Sequence, residues 1–251
     1  MKFAMRKMLT STPLSRTATC LAAVLTATLI LTSLSAIAEG VFGRRAVDLR
    51  ARKATNGRTV VTSPDGRSRA VVRDNGGGLT IQTSGAMGKL LFTTENSVSA
   101  ELTWSPDSTA FFITGSDGGA VGDYHLLVVD RFRRRLAVKD VSDVIHAAFG
   151  HPVRCDVPEA PNVGGVKWLP GHHVLVAAEV QPHSVCDSMG TFEAYELDPA
   201  TMTIGRAYGQ LEAKKLFGPD LGKELSAADD GCVRRPTSCY VVTNHPELKQ
   251  P

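Results

Sequence analysis

Two hydrophobic patterns divide this chain. Near the N-terminus a mostly apolar run covers residues 21–34, behind Lys2, Arg6, Lys7 and Arg16, with no acidic residue before Glu39. It closes on Ala36-Ile37-Ala38, the small-x-small pattern that signal peptidase accepts. Positive charge, apolar run and small residues in that order predict a cleaved secretory signal peptide over residues 1–38. The alternative is an uncleaved anchor helix, since residues 21–38 are nearly long enough to span a bilayer. Three threonines in that run and the small residues at its end favour cleavage. Cys20 precedes the apolar core, which argues against lipid acylation.

The second pattern starts at Arg58, after a polar, glycine-interrupted lead-in over residues 39–57. That lead-in is expected to be either loose or a short helix around Val47 to Lys53. Short β-branched and apolar runs then alternate with Gly, Asp, Asn and Ser turns, the signature of strands and hairpins. Strands are predicted at 59–62, 69–73, 79–83 and 90–94, and a second set at 101–104, 110–114, 124–129 and 136–139. A third, more degenerate set covers 166–168, 173–180, 192–197 and 202–206. Residues 210–217 predict a short helix stopped by Gly218-Pro219. Residues 141–163 and 208–251 carry no repeat, and 208–251 are expected to form a helical, disulfide-clipped tail.

Each set opens on a turn. Ser63-Pro64-Asp65-Gly66 and Ser105-Pro106-Asp107-Ser108 put their prolines 42 residues apart, within the blade period of about 40–45 residues for four-stranded propeller units. Trp168-Leu169-Pro170-Gly171 opens the third. Proline presets φ at the first central position, aspartate bonds its own backbone, and Gly or Ser lets the chain reverse. Trp104 and Trp168, each two positions before a proline, are placed to pack between neighbouring units.

Trp104-Ser105-Pro106-Asp107, then Ala110-Phe111-Phe112, then a third strand ending in Asp130, resembles the WD40-like repeat of TolB-type periplasmic β-propellers. The resemblance covers residues 58–140 well and 164–207 weakly. It implies a mostly-β domain over 58–207, of antiparallel four-stranded blade-like repeats arranged propeller-fashion, and it implies no activity. Only three repeats are legible, whereas a closed propeller needs about four blades. Either two further blades are too degenerate to read, or the sheets form an open array capped by the C-terminal segment.

Removing residues 1–38 takes away four basic residues and no acidic one, so the formal net charge falls from +3 to −1. A near-neutral remainder gives no global case for nucleic acid as a partner. No second apolar run reaches membrane-spanning length, so no membrane span is expected after cleavage. Cys155, Cys186, Cys232 and Cys239 remain, an even count that favours disulfides in an oxidising compartment. Of three connectivities, Cys155–Cys186 with Cys232–Cys239 is preferred. No pair has the C-x-x-C spacing usual for zinc ligands or redox dithiols.

No nucleophile elbow, phosphate loop or dinucleotide fingerprint appears, so no catalytic residue and no cofactor is assigned. His172, His173 and His183, with Cys186 and Asp187 close behind, suggest a metal site. Adjacent residues on a strand face opposite ways, however, so His172 and His173 do not chelate together, and no metal is assigned. Asp123 and His125, flanking Tyr124 at a strand entry, and His173 are candidates for a ligand site at one end of the domain. Arg133 and Arg135 belong to a basic cluster around Phe132 that attracts phosphate or an acidic partner, or is a solvated hairpin. The favoured expectation is an exported, non-catalytic module in the periplasm or outside the cell that binds a protein partner or a surface polymer. The alternatives are an exported hydrolase or lyase acting on glycans or peptides, and a decayed propeller with a structural role.

Overall fold

The computed structural model describes residues 39–50, 57–95, 98–118, 123–150, 160–182, 186 and 188–228. These form three antiparallel sheets, each a meander in which successive strands are neighbours. The first holds β2 (Arg58–Thr62), β3 (Ser68–Asp74), β4 (Gly78–Gly85) and β5 (Leu91–Glu95). The second holds β6 (Ser99–Trp104), β7 (Phe111–Ser116), β8 (Tyr124–Phe132) and β9 (Arg135–Asp140), with β1 (Val47–Asp48) added beside β6. The third holds β10 (Asn162–Trp168), β11 (Val174–Glu179), β12 (Phe192–Asp198) and β13 (Thr203–Gly209). Three short helices follow the second and third sheets: α1 (Ser142–Ala148), α2 (Gln210–Phe217) and α3 (Lys223–Ala227). All twelve predicted strands are present. The predicted helix over 210–217 is α2, and Pro219 lies in a 3-10 turn just beyond it.

The sheets stack through three apolar seams, because a sheet must bury its hydrophobic face against another element. Val61, Val72, Leu79 and Ile81 of the first sheet meet Leu102, Trp104, Phe111 and Ile113 of the second. On the second sheet's other face, Phe112, Leu126 and Val128 meet Val163, Trp168, Val174 and Val176 of the third. The third sheet's far face, with Leu175, Phe192 and Tyr208, is covered by Ala213, Leu221 and Leu225 from the helical segment and by Phe42. Each predicted tryptophan lies in a different sheet-to-sheet seam: Trp104 against Phe111, ring centroids 4.9 Å apart, and Trp168 against Phe112 at 5.8 Å. Among the described residues the stack is open. Helices cap it at the third sheet, and no other described element covers the outer face of the first.

The lead-in departs from expectation in two ways. Val47–Asp48 is a strand rather than the start of a helix, pairing with Leu102 and Glu101, since β6 would otherwise leave an open edge there. Residues 51–56, the rest of that predicted helix, lie outside the described residues. Nor is the segment loose. Phe42 is buried, and Arg44, Gly222, Lys223 and Glu224 use backbone N–H groups to join this segment to the region from Asp220 to α3. Adjacent glycines on β10 make room on both sides: a Cβ at Gly164 would overlap the Phe42 ring, and one at Gly165 would overlap Phe112. The third sheet also runs two residues past the expected boundary at 207. The predicted signal peptide over 1–38 and the tail from 229 onward lie outside the described residues.

Candidate functional site

Two rims of the stack gather polar side chains. The first is the turn rim. Ser63 Oγ donates to Asp65 (2.6 Å) and accepts from the Ser68 N–H (2.9 Å). Ser105 repeats this, donating to Asp107 (2.6 Å) and accepting from the Ala110 N–H (3.0 Å). Pro64 and Pro106 sit inside these loops, and Pro170 opens the 3-10 turn of the third. Each turn also has a left-handed residue at the same position: Gly66 at φ 74°, Ser108 at φ 64° and His172 at φ 67°. A non-glycine residue there costs about 1–2 kcal/mol, and both side chains gain a partner from the preceding sheet. Ser108 Oγ accepts the Asp65 N–H at 3.0 Å. The His172 ring stands between Asp130, 2.9 Å from Nε2, and Asp107, 3.6 Å from Nδ1, with Trp168 4.8 Å away. Burial raises the Asp107 carboxyl, but hydrogen bonds from Ser105 and Thr109 outweigh it and the net shift is downward. These groups lock one sheet to the next.

The opposite rim collects buried acids. Glu101 accepts the backbone N–H groups of Val41 (2.6 Å), Phe42 (3.0 Å) and Gly43 (3.3 Å). Burial still raises its carboxyl, those bonds opposing without overcoming it. Glu179, at 1% exposure, leaves its Oε2 with no partner among the described residues. Burial pushes it up to about 8, Glu224 on α3 adds to the rise, and a bond with Asn162 opposes it. Tyr124, stacked 5.2 Å from Phe42, is raised by burial and by Glu101, Glu224 and Glu179. This rim brings together groups from the N-terminal segment, the second and third sheets and α3. Among the described residues no group of three His, Cys, Asp or Glu side chains is arranged to hold a metal.

The structure separates the sequence candidates. Asp123 is exposed beside the acid rim and accepts from Gln181 at 2.7 Å. His125 is exposed on β8, paired with Gly115 in the ladder. His173 lies at the turn rim, just before β11; burial raises the nearby Asp198 carboxyl, but hydrogen bonds from Thr201 and Ala200 outweigh it and hold the group below the usual carboxylate range. The basic cluster divides: Arg131 reaches the Met87 carbonyl of the first sheet at 2.7 Å. Arg133 and Arg134, at φ 49° and 68°, form the β8–β9 hairpin, and Arg135 is exposed at the start of β9. Two positive φ values at a two-residue hairpin match the strand twist. Cys186 is buried. Cys155, Cys232, Cys239, His183 and Asp187 lie outside the described residues. Sequence reasoning passed over Glu101 and Glu179; a lone acid inside an apolar strand run is the signal that marks them. No described helix is long and apolar enough to cross a membrane.

Among the described residues, a mostly-β array of three antiparallel sheets with no closed barrel is the class of architecture these observations define. Compared with protein-family models, curated proteins and solved structures, the chain gives no match.

Proposed function

We propose that this chain is an exported, non-catalytic binding module of the cell envelope, acting in the periplasm or outside the cell on a protein partner or a surface polymer. The observation that carries the reading is the inequality of the two ends of the stack. The third sheet's far face is sealed by helices, while the first sheet's outer face is left to solvent with polar side chains. A rigid array ending in a bare sheet offers a preformed recognition surface, the use to which stacked repeats are suited. The leader pattern over 1–38 supports export, with cleavage after Ala38. The turn repeats support a TolB-like, WD40-like origin. In the oxidising compartment Cys155 pairs with Cys186, and Cys232 with Cys239.

Crosslinking in intact cells, then affinity capture and mass spectrometry of the tagged protein, tests this. A recurrent stoichiometric partner, or a recurrent polymer adduct, is expected. Turnover of a glycan or peptide substrate that is lost in His125→Ala or His173→Ala would replace the binding reading with the hydrolase one.

A further inference from the structure

The charged side chains described on the outer face of the first sheet are arginines. Strand alternation places Arg58, Arg69 and Arg73 there, all exposed, on the side opposite the buried Val61, Ala70 and Val72. Arg58 and Arg73 are direct cross-strand partners. Like charges directly opposite one another destabilise a sheet, so the pair opposes folding unless something else uses it. Arg69 lies four residues along β3, about 13 Å from Arg73. None of the three forms an ion pair among the described residues; the nearby Asp74 is held by Arg50 at 3.1 Å. Thr80, facing Arg73 in the ladder, and Gln82, facing Val71, add hydrogen-bonding groups to the same face.

We propose, building on the binding-module reading, that this face binds an extended acidic polysaccharide through its carboxylates. Charge complementarity sets the sign of the ligand, and the planar guanidinium fork suits bidentate carboxylate recognition. The rest of the face selects among polyanions. Among the described residues it presents no aromatic ring on which bases could stack, as single-stranded nucleic acid requires. Its apolar side chains are few: Val60 pairs with the buried Val71, and Leu91 stands apart beyond Gln82, which gives neither the aromatic anchor of a protein interface nor a wedge for a bilayer. Threonine and glutamine beside spaced arginines fit sugar hydroxyls between charged groups.

The test is titration of the purified protein with oligogalacturonide, beside neutral dextran, anionic phosphatidylglycerol vesicles and single-stranded DNA. Oligogalacturonide is expected to bind in preference to the other three, weakening as salt screens the charges. The R58Q/R69Q/R73Q variant is expected to lose affinity at least about tenfold, with a melting temperature equal to or above wild type. Unchanged affinity in that variant overturns the proposal, as does wild-type preference for vesicles or DNA. If wild type ignores oligogalacturonide yet crosslinking still captures a protein partner, this inference fails and the module reading stands. If neither is found, both fail.

Discussion

The first and third sheets share strand number and order, yet their residues sit in different surroundings. Along β2 burial alternates, with Thr59 and Val61 inside and Arg58, Val60 and Thr62 outside. Along β11 all six residues from Val174 to Glu179 are buried. A strand covered on both faces becomes a continuous apolar run, while one that closes a stack keeps its polar alternation. The same meander therefore serves as an interior layer in one place and a terminal surface in another, and the side chains record which.

The largest expected effect tests the covered end. Phe192 is fully buried on the third sheet's helix-facing side, so Phe192→Ala should cost about 3–5 kcal/mol in denaturant unfolding. A cost no larger than that of an outer-face change in the first sheet would remove the distinction between the ends.

The acid rim gives the next effect. The folded protein holds the Glu179 proton up to about pH 8, whereas the ordinary value for this carboxyl is 4.5. The native state binds the extra proton between those values, so this group's contribution to stability falls as pH rises through the window and is flat above it. Glu179→Gln should remove that slope, raising the melting temperature most at pH 8 and above and least near the lower limit. Parallel melting curves across the window would contradict the assignment.

At the turn rim, His172→Ala should cost about 1–2 kcal/mol, because Asp130, 9% exposed, loses its imidazole partner. Ser108→Ala removes one bond to the Asp65 amide and should cost about 1 kcal/mol by the same unfolding assay. Val60→Ala, on the bare face, should stay within about 0.5 kcal/mol of wild type.

What could be read from sequence follows the range of the interactions. The Ser-Pro-Asp turns at 63–65 and 105–107 are closed by hydrogen bonds within five residues, so they and the strands they join are legible locally. The helix over 210–217 is legible because Gly218-Pro219 stops it. The strand at Val47 exists only because β6 offers an edge more than fifty residues away, and no local pattern carries that information. α1 was missed for a subtler reason: Asp140 accepts the Ser142 N–H at 2.8 Å and starts the turn, a weak signal in a segment without repeats. The role of His172 is visible only in the fold, because its partners, Asp107 and Asp130, come from the preceding sheet. The carboxylate nest at Glu101 is built from amides of the lead-in, which alternation alone cannot place.

The central claim is that the stack is bare at the first sheet and covered at the third. Hydroxyl-radical labelling of the folded protein, read by mass spectrometry, tests it directly. Val60, 41% exposed, and Leu91, 67% exposed, should label strongly, while Leu175 and Phe192, fully buried, should be protected. Protection of Val60 and Leu91 in the free protein would contradict the account, because it would mean that a further layer covers the first sheet as the helices cover the third.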